Sequence, residues 1–385
     1  SLVIRRGWFS DVAETRSGWT VRTRGRWYPN LNWAPLKLTY DAFDGSVKTL
    51  SRFRAEYKKV APGVYQDRAH YTIRQTETGF RWTDRAGNWI DYDAQGVPQS
   101  CGDRNDVKIT LQYAGGQVSG ILDHFGTQVL WFDYAGGDLI RIRDATGRKV
   151  EYQYDPEHQM IAMIDPDGNR RGFGYSGTGM GYTYGLPTSF TDPEGRVTSR
   201  GWAKNGELAQ IRYPDGSGSD FVNEWDSGRS IFYSQEKTTG GRLIETWSTL
   251  YQDLLRKDVN GKTVEKRSSD AGQGSRAIVN AQGVTTTETL DQWDNVTRTV
   301  YPDGTSTSTA YDPVYSNVTQ KTDERGVVTK YEYDAKGNLT KLTEALGLTE
   351  QRVTEFTYDA YGRKRTETKK GDATTPDAVT QFDYD

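Results

Sequence analysis

Along most of the chain, apolar and polar residues alternate with a period of two. In Val327-Val328-Thr329-Lys330-Tyr331-Glu332-Tyr333, one face carries Val327, Thr329, Tyr331 and Tyr333, and the other Val328, Lys330 and Glu332. Val150, Tyr152 and Tyr154 stand opposite Lys149, Glu151 and Gln153 in the same way. A period of two over six or seven residues predicts a half-buried strand. Asp, Pro and Gly bound these segments, so the pattern predicts many short strands joined by turns.

The turns recur at a fixed spacing. One class of glycine comprises Gly126, Gly147, Gly168, Gly195, Gly216, Gly241, Gly261, Gly283, Gly304, Gly326 and Gly347, and eight of the ten successive gaps are 20 to 22 residues. Asp123, Asp144, Asp165, Asp192, Asp258 and Asp323 stand three places before such a glycine, with Glu344 in the same place. Asp at the first turn position can accept a bond from the backbone two residues on, and Gly takes the position that disfavours a Cβ. A second marker, an aromatic followed by Asp, falls between these turns: Tyr154-Asp155, Trp225-Asp226, Trp293-Asp294, Tyr311-Asp312, Tyr333-Asp334 and Tyr358-Asp359. Tyr113-Ala-Gly-Gly116 and Tyr134-Ala-Gly-Gly137 are related forms. Two strands and two turns account for about 21 residues, and stacked neighbours continue one sheet. The expected fold is all-β, a repetitive β-hairpin ribbon.

Before about residue 105 the rule is loose. Tyr40-Asp41, Trp82 to Gly87 and Tyr92 to Gly96 are outlying copies, preceded by Trp8, Trp19, Trp27 and Trp33. Residues 1–104 are therefore expected to form an irregular β cap, and 105–385 the repeat array. The spacing of Leu50, Phe53 and Tyr57 also fits a short helix.

Composition sharpens this picture. Hydrophobic residues make up 34%, yet there are 24 Tyr and 11 Trp against 3 Met, so rings are a large part of what the chain can bury. The net charge is −3, with 49 basic and 52 acidic residues interspersed. No basic stripe is present, so no nucleic-acid partner is expected. Arg363-Lys364-Arg365 with Lys369-Lys370 reads as a solvated strand face. No segment approaches the roughly 18 apolar residues of a membrane span. The single Cys101 excludes an intrachain disulfide. The start at Ser1-Leu2-Val3 and the end at Phe382-Asp383-Tyr384-Asp385, within a recurring motif, suggest part of a longer chain.

Candidate chemistry is sparse. His70, His124 and His158 lack the spacing of metal ligands, and His124 falls inside a turn. The acidic pairs Asp91/Asp93, Asp165/Asp167 and Asp192/Glu194 recur with the repeat, as turn chemistry requires and a unique glycosidase pair does not. Asp165-Pro166-Asp167-Gly168-Asn169 lacks the distal ligands of a calcium loop. The glycines from Gly172 to Gly179 lack the strand–turn–helix setting of a dinucleotide site. No catalytic residue, cofactor or metal is assigned, and the chain is not expected to be an enzyme. Rings at a regular pitch can stack on sugars, with avidity across repeats. Cross-strand pairing inside the ribbon is their simpler use.

The paired motif resembles RHS repeats, also called YD repeats. It is seen in Thr322-Asp323-Glu324-Arg325-Gly326, Tyr331 to Leu339 and Tyr358-Asp359-Ala360-Tyr361-Gly362-Arg363. The resemblance covers about residues 105–385 well and 1–104 weakly. It implies a ribbon winding into a spiral, hollow shell, which in bacterial polymorphic toxins and insecticidal Tc toxins encloses a C-terminal toxin polypeptide, and in teneurins serves adhesion. The implied role is a non-catalytic shell segment of a secreted or cell-surface protein. Its implied partners are the rest of the shell, an enclosed toxin and secretion machinery. The alternative is an adhesin for carbohydrate or a receptor. No self-cleaving segment or toxin-like domain is found in these residues. About 26 strands spaced ~4.8 Å apart span on the order of 125 Å, too little to encircle a small domain. An open, curved sheet with two uncovered edges is expected.

Overall fold

The computed structural model describes residues 11–13, 20–22, 35–40, 47–52, 55–67, 70–177, 185–249, 253–270, 274–372 and 374–384. Trp8, Trp19, Trp27, Trp33, Asp41, Phe53 and Gly179 lie outside them. Among the described residues there are 35 strands and no helix. Thirty-three of them, from Leu36–Tyr40 to Ala378–Gln381, run antiparallel in one sheet. Leu50 lies in the strand Val47–Arg52 and Tyr57 in Ala55–Ala61, so the helical option there is corrected to strand. The two strands pair directly, which buries both side chains on one face. The chain divides into two compact units. One comprises Ser1–Trp33, Leu111–Arg267 and Val279–Gly283, the other Ala34–Thr110, Ser268–Ile278 and Val284–Asp385.

One five-residue turn serves most copies of both sequence markers, though Asp258 and Glu344 lie in strands. In each, the first residue's N–H donates to the carbonyl of the fifth, and the fourth residue's N–H donates back to the carbonyl of the first. Asp144 with Arg148 and Gly147 does this at 3.0 and 3.1 Å, and Asp334 with Asn338 and Gly337 at 3.0 and 2.9 Å. The Asp carboxylate adds two bonds, from the third and fifth N–H groups: Thr146 and Arg148 to Asp144, Lys336 and Asn338 to Asp334. Six backbone groups are thus satisfied within one turn, two of them by the Asp side chain. The fourth residue sits at positive φ, +86° at Gly147 and +81° at Gly337. Glycine takes this conformation without a Cβ penalty.

The rings hold neighbouring hairpins together. At Tyr134, Tyr154, Tyr175, Trp202, Tyr311, Tyr333 and Tyr358 the strand register shifts at a β-bulge, one or two residues before the turn. A bulge interrupts the hydrogen-bond ladder and increases the local twist. At all of these but Trp202, the residue opposite the bulge gives its carbonyl to the ring of the next repeat. Tyr134 faces Leu139, whose carbonyl accepts from the Tyr154 hydroxyl at 2.8 Å. Tyr154 faces Met160, which accepts from Tyr175 at 2.7 Å, and Tyr175 faces Pro187, which accepts from Trp202 Nε1 at 2.8 Å. In the other unit, Val318, Leu339 and Lys364 accept from Tyr333, Tyr358 and Tyr384 at 2.6, 2.8 and 2.8 Å. One rung before residue 105 follows the same rule, since Tyr40 faces Val47 and Val47 accepts from Tyr65 at 2.9 Å. Burial pushes the Tyr134 phenol up to about 12 and that of Tyr154 higher still, so the hydroxyls stay donors.

Core packing is uneven. The segment 36–101 holds a cluster of Leu36, Leu50, Tyr57, Tyr65, Ile73, Phe80, Trp82, Ile90 and Tyr92, each nearly solvent-free. Its strands curl so far that the Leu36 N–H reaches the Gly96 carbonyl at 2.9 Å. Arg52 is buried inside, bonded to the Tyr92 hydroxyl at 3.0 Å and stacked over Trp82. Trp82 Nε1 donates to the Tyr57 hydroxyl at 2.9 Å. The other unit buries Ile121, Phe132, Ile142, Met160, Ala162 and Phe173.

Loss of one rung should separate the hydroxyl from the ring. Tyr333→Phe leaves the Val318 carbonyl without its donor and is expected to cost ~1 kcal/mol. Tyr333→Ala also removes half-buried ring area and should cost ~1–3 kcal/mol. Urea unfolding of both variants checks the order, and equal midpoints to the parent would remove the ring ladder as a source of stability.

Candidate functional site

Because every strand is antiparallel to the one before, turns alternate between the two edges of the ribbon. Turns 84–88 and 103–107 follow strands Gly79–Thr83 and Pro98–Gly102 and lie on one edge. Turns 291–295, 312–317, 334–338 and 359–363 follow Thr285–Leu290, Ser306–Tyr311, Val328–Tyr333 and Arg352–Tyr358 and lie on the opposite edge. Within one unit these two rows of turns meet. Arg85 Nη1 donates to the Trp293 carbonyl at 2.8 Å, across 208 residues of sequence, and Nη2 to Asn295 Oδ1. The His70 ring stands edge-on to Trp293 with centroids 5.0 Å apart. Asn105 and Asn338, 233 residues apart, exchange amide bonds at 3.1 and 3.5 Å. The Arg104 guanidinium lies 5.7 Å from the centre of the Tyr315 ring. The sheet stays open, as expected, since the strands Leu36–Tyr40 and Ala378–Gln381 do not pair with each other, and the seam joins rows of turns.

Glycine permits the close approach. A Cβ at Gly337 would lie 2.7 Å from Tyr315, and one at Gly87 would lie 2.8 Å from both Tyr315 and Arg104. At Gly362 it would fall inside the Asn105 carboxamide. Beside this seam lies a polar cleft of about 500 Å³, lined by Asn88, Arg104, Asn317, Tyr333, Asn338 and Tyr358 among others. Tyr333 and Tyr358 already spend their hydroxyls on the ladder, and Asn338 is buried with both ends of its amide engaged.

Most residues singled out in the sequence belong to the turn. Asp155, Asp334 and Asp359 open it directly after the ladder rings Tyr154, Tyr333 and Tyr358. Asp144 with Gly147, Asp165 with Gly168, Asp192 with Gly195 and Asp323 with Gly326 open and close it on the other edge. Tyr311 is a ladder ring bonded to Val296 at 3.0 Å, and Asp312 opens a turn one residue longer, closed by Ser316 at φ +54°. Two pairs stand elsewhere. Asp294 occupies the glycine position at φ +59°, in a turn opened by Asp291, and Trp293 sits inside that turn. Leu290 fills the bulge position that a ring holds elsewhere, so the aromatic–Asp pattern lands three residues late. Trp225 and Asp226 end a hairpin of eight uninterrupted pairs with no bulge, and Trp225 packs on Phe232 at 4.4 Å. Arg85, Arg104 and Asn105 carry no signal in the sequence, because their partners lie more than 200 residues away.

The carboxylates show the electrostatics of turns. Bonds from the Thr146 hydroxyl, Arg148 and the backbone hold Asp144 down to about 2. The Val327 N–H lowers Asp323. At Asp334 and Asp359 desolvation works the other way, and hydrogen bonds from the fifth residue of each turn overcome it. Among the described residues no group of His, Cys, Asp and Glu is arranged to hold a metal. Both oxygens of Asp165 are taken by N–H donors from Asp167, Asn169 and Arg171.

A depressed native pKa stabilises the fold above the unfolded value near ~3.9 and ceases to as pH falls through the native value. Thermal midpoints should therefore drop between about pH 4 and pH 2. Replacing Asp144, Asp323 and Asp359 with Asn, which keeps an accepting oxygen, should flatten that drop. An unchanged acid profile would refute it. A second pair of substitutions tests the seam. Gly147→Ala meets only the cost of positive φ, about 1–2 kcal/mol, because nothing lies within 4 Å. Gly362→Ala should cost more, and Asn105→Ala should recover part of the difference in a double-mutant cycle. Equal costs at both glycines would show that the seam packing contributes nothing.

Residues 132–170 and 315–349 match the RHS-repeat family model. No curated protein matches the chain in sequence. Among solved structures, the crystal structure of TcdB2-TccC3-TEV is similar at 12% identity with a TM-score of 0.48. That of TcdB2-TccC3 without hypervariable C-terminal region is similar at 13% and 0.47. The alignments cover 90% of this chain and 22% of each of those, so the chain spans about a fifth of their length. The first matched stretch holds the ladder rings Tyr134 and Tyr154 and the second Tyr333, each at its bulge, and in these stretches the chain carries RHS repeats.

Proposed function

We propose that this chain is wall material, a non-catalytic segment of an RHS shell that separates an enclosed polypeptide from solvent. The supporting observation is the seam. A ribbon that meets its own opposite edge after 208 to 233 residues can close a wall without a second sheet. The carboxylates and rings that recur with the repeat are spent on turns and rungs, consistent with scaffold work. The ladder rings use their hydroxyls inside the sheet, which gives the carbohydrate-adhesin alternative no specific support from them. In this reading the protein acts outside the producing cell or at its surface. Its partners are further shell polypeptide, an enclosed toxin and the machinery that exports it. Among the described residues no helix is long and apolar enough to cross a membrane.

The test is made on the natural gene product, compared by mass under native and denaturing conditions and by limited proteolysis. The expected result is a polypeptide released only on denaturation and protected from protease until then. A single intact chain whose C-terminal region is digested freely under native conditions would overturn the enclosure.

A further inference from the structure

Successive turns on one edge of the seam, 84–88 and 103–107, each carry an arginine in the second position, Arg85 and Arg104. Each meets a turn of the opposite row in the same unit, with different results. Arg85 finds two acceptors in turn 291–295, the carbonyl of its third residue, Trp293, and the amide oxygen of its fifth, Asn295. Arg104 meets turn 334–338, where its Nη1 lies 3.0 Å from the place a Cβ of Gly337 would take. The fifth-position acceptor there, Asn338 Oδ1, is already taken by Asn105 Nδ2. Among the described residues the Arg104 guanidinium has a ring neighbour, Tyr315, and no hydrogen bond or ion pair. The nearby carboxylates accept from N–H groups of their own turns, Asp103 from Asn105 and Val107, and Asp334 from Lys336 and Asn338.

This fork is half-buried and held in place. A Cβ at Gly87 would lie 2.8 Å from that of Arg104, so the stem is seated against one turn glycine and the head against another. Arg104 lines the polar cleft of about 500 Å³, and its charge reaches Asp334, Tyr333 and Tyr358. A partly desolvated cation without an acceptor has lost hydration and gained no bond in return. We propose that the cleft binds a carboxylate, which accepts two bonds from Arg104 and gives it the pair of acceptors that Arg85 has within the protein. The planar guanidinium matches the two oxygens of a carboxylate, and charge-assisted bonds of this kind are about twice as strong as neutral ones. The cleft has room for more than the carboxylate itself. The carboxamides of Asn88 and Asn317 and the rings of Tyr333 and Tyr358 line the rest, a mixed wall that suits the short apolar stem and polar backbone of an acidic amino-acid residue. The site needs the seam alone and stands whether or not the ribbon encloses a cargo.

Two measurements test it. The first titrates the chain, at low ionic strength, with glutamate blocked at both ends so that only its side-chain carboxylate is charged. Saturable binding is expected, at least about tenfold weaker for the blocked glutamine analogue and for the chain carrying Arg104→Gln. Free butyrate distinguishes the source: binding as tight as that of blocked glutamate assigns the site to small carboxylates, and weaker binding assigns it to acidic residues of a polypeptide. No saturable binding of either carboxylate, equal binding of the glutamine analogue, or binding unchanged by Arg104→Gln would overturn the proposal. The second needs no variant. Phenylglyoxal labelling of the unaltered chain, mapped by mass spectrometry, should modify Arg104 faster than Arg85, and blocked glutamate should slow the reaction at Arg104 alone. Labelling of Arg104 that the ligand leaves unchanged would overturn it.

Discussion

The structure depends on one hydrogen bond, repeated: a ring at the end of one hairpin donates to the carbonyl left facing the bulge of the hairpin before. Ordinary ladder bonds join strands within a sheet but do not specify where a hairpin should stop or bend. The bulge supplies the bend and leaves a backbone acceptor outside the regular pairing. Tyr or Trp is suited to that acceptor because it buries an apolar body and carries a donor at its far end. Each ring thus connects a bend to its predecessor, from Val118 through Trp202 in one unit and from Val296 through Tyr384 in the other. The rule tolerates exchange of the donor, since Trp202 Nε1 replaces a phenol without altering the register.

This explains why so much of the fold was legible. Period-two patterning, the Asp at the head of each turn and the glycine at positive φ are local devices, and local devices leave marks in sequence at their own spacing. The identity of the two turn classes was harder to see. Tyr154-Asp155 and Asp144 to Gly147 look like different motifs, yet they build the same five-residue turn on opposite edges, and His158 takes the glycine's place at φ +64° in the first. The pattern failed where chemistry was substituted. Leu290 holds a ring position without a ring, and Tyr213 and Tyr301 open turns whose carboxylate, Asp215 or Asp303, has moved to the third place. The seam left no trace, because Arg85 and Asn105 differ from ordinary surface residues only in what lies across from them.

The two levels of organisation also differ in how they are held. Within the ribbon, contacts are between neighbours and repeat, so a local loss removes one rung among many, as in other stacked-repeat proteins. Across the seam the contacts are few and unlike one another: a guanidinium on a backbone carbonyl, an amide pair, a histidine edge on an indole. Dissimilar contacts suit registration. Identical turns could slide past one another by one repeat at little cost, and only side chains that occur once fix which turn meets which. The buried cluster under Trp82 and Tyr57 serves the same end, since it makes the segment bearing Arg85 and Asn105 the most solidly packed part of its unit.

The turn glycine then acquires a second role. Its first requirement is conformational: the fourth residue must adopt positive φ for its N–H to reach back to the first carbonyl. The missing Cβ that satisfies this also leaves a notch on the ribbon's edge. At Gly337 and Gly362 the notch admits Arg104, Tyr315 and Asn105 from neighbouring turns; at Gly147 and Gly326 it is empty. A repeat selected for its turn therefore arrives with an edge able to stack on another edge. Where a side chain replaces the glycine, as at His158 and Asp294, the notch closes and a new contact must be made by that side chain, as His158 does with Asp138 at 2.7 Å. Edge-to-edge assembly in this ribbon is thus a consequence of backbone geometry, with individual residues deciding only where it happens.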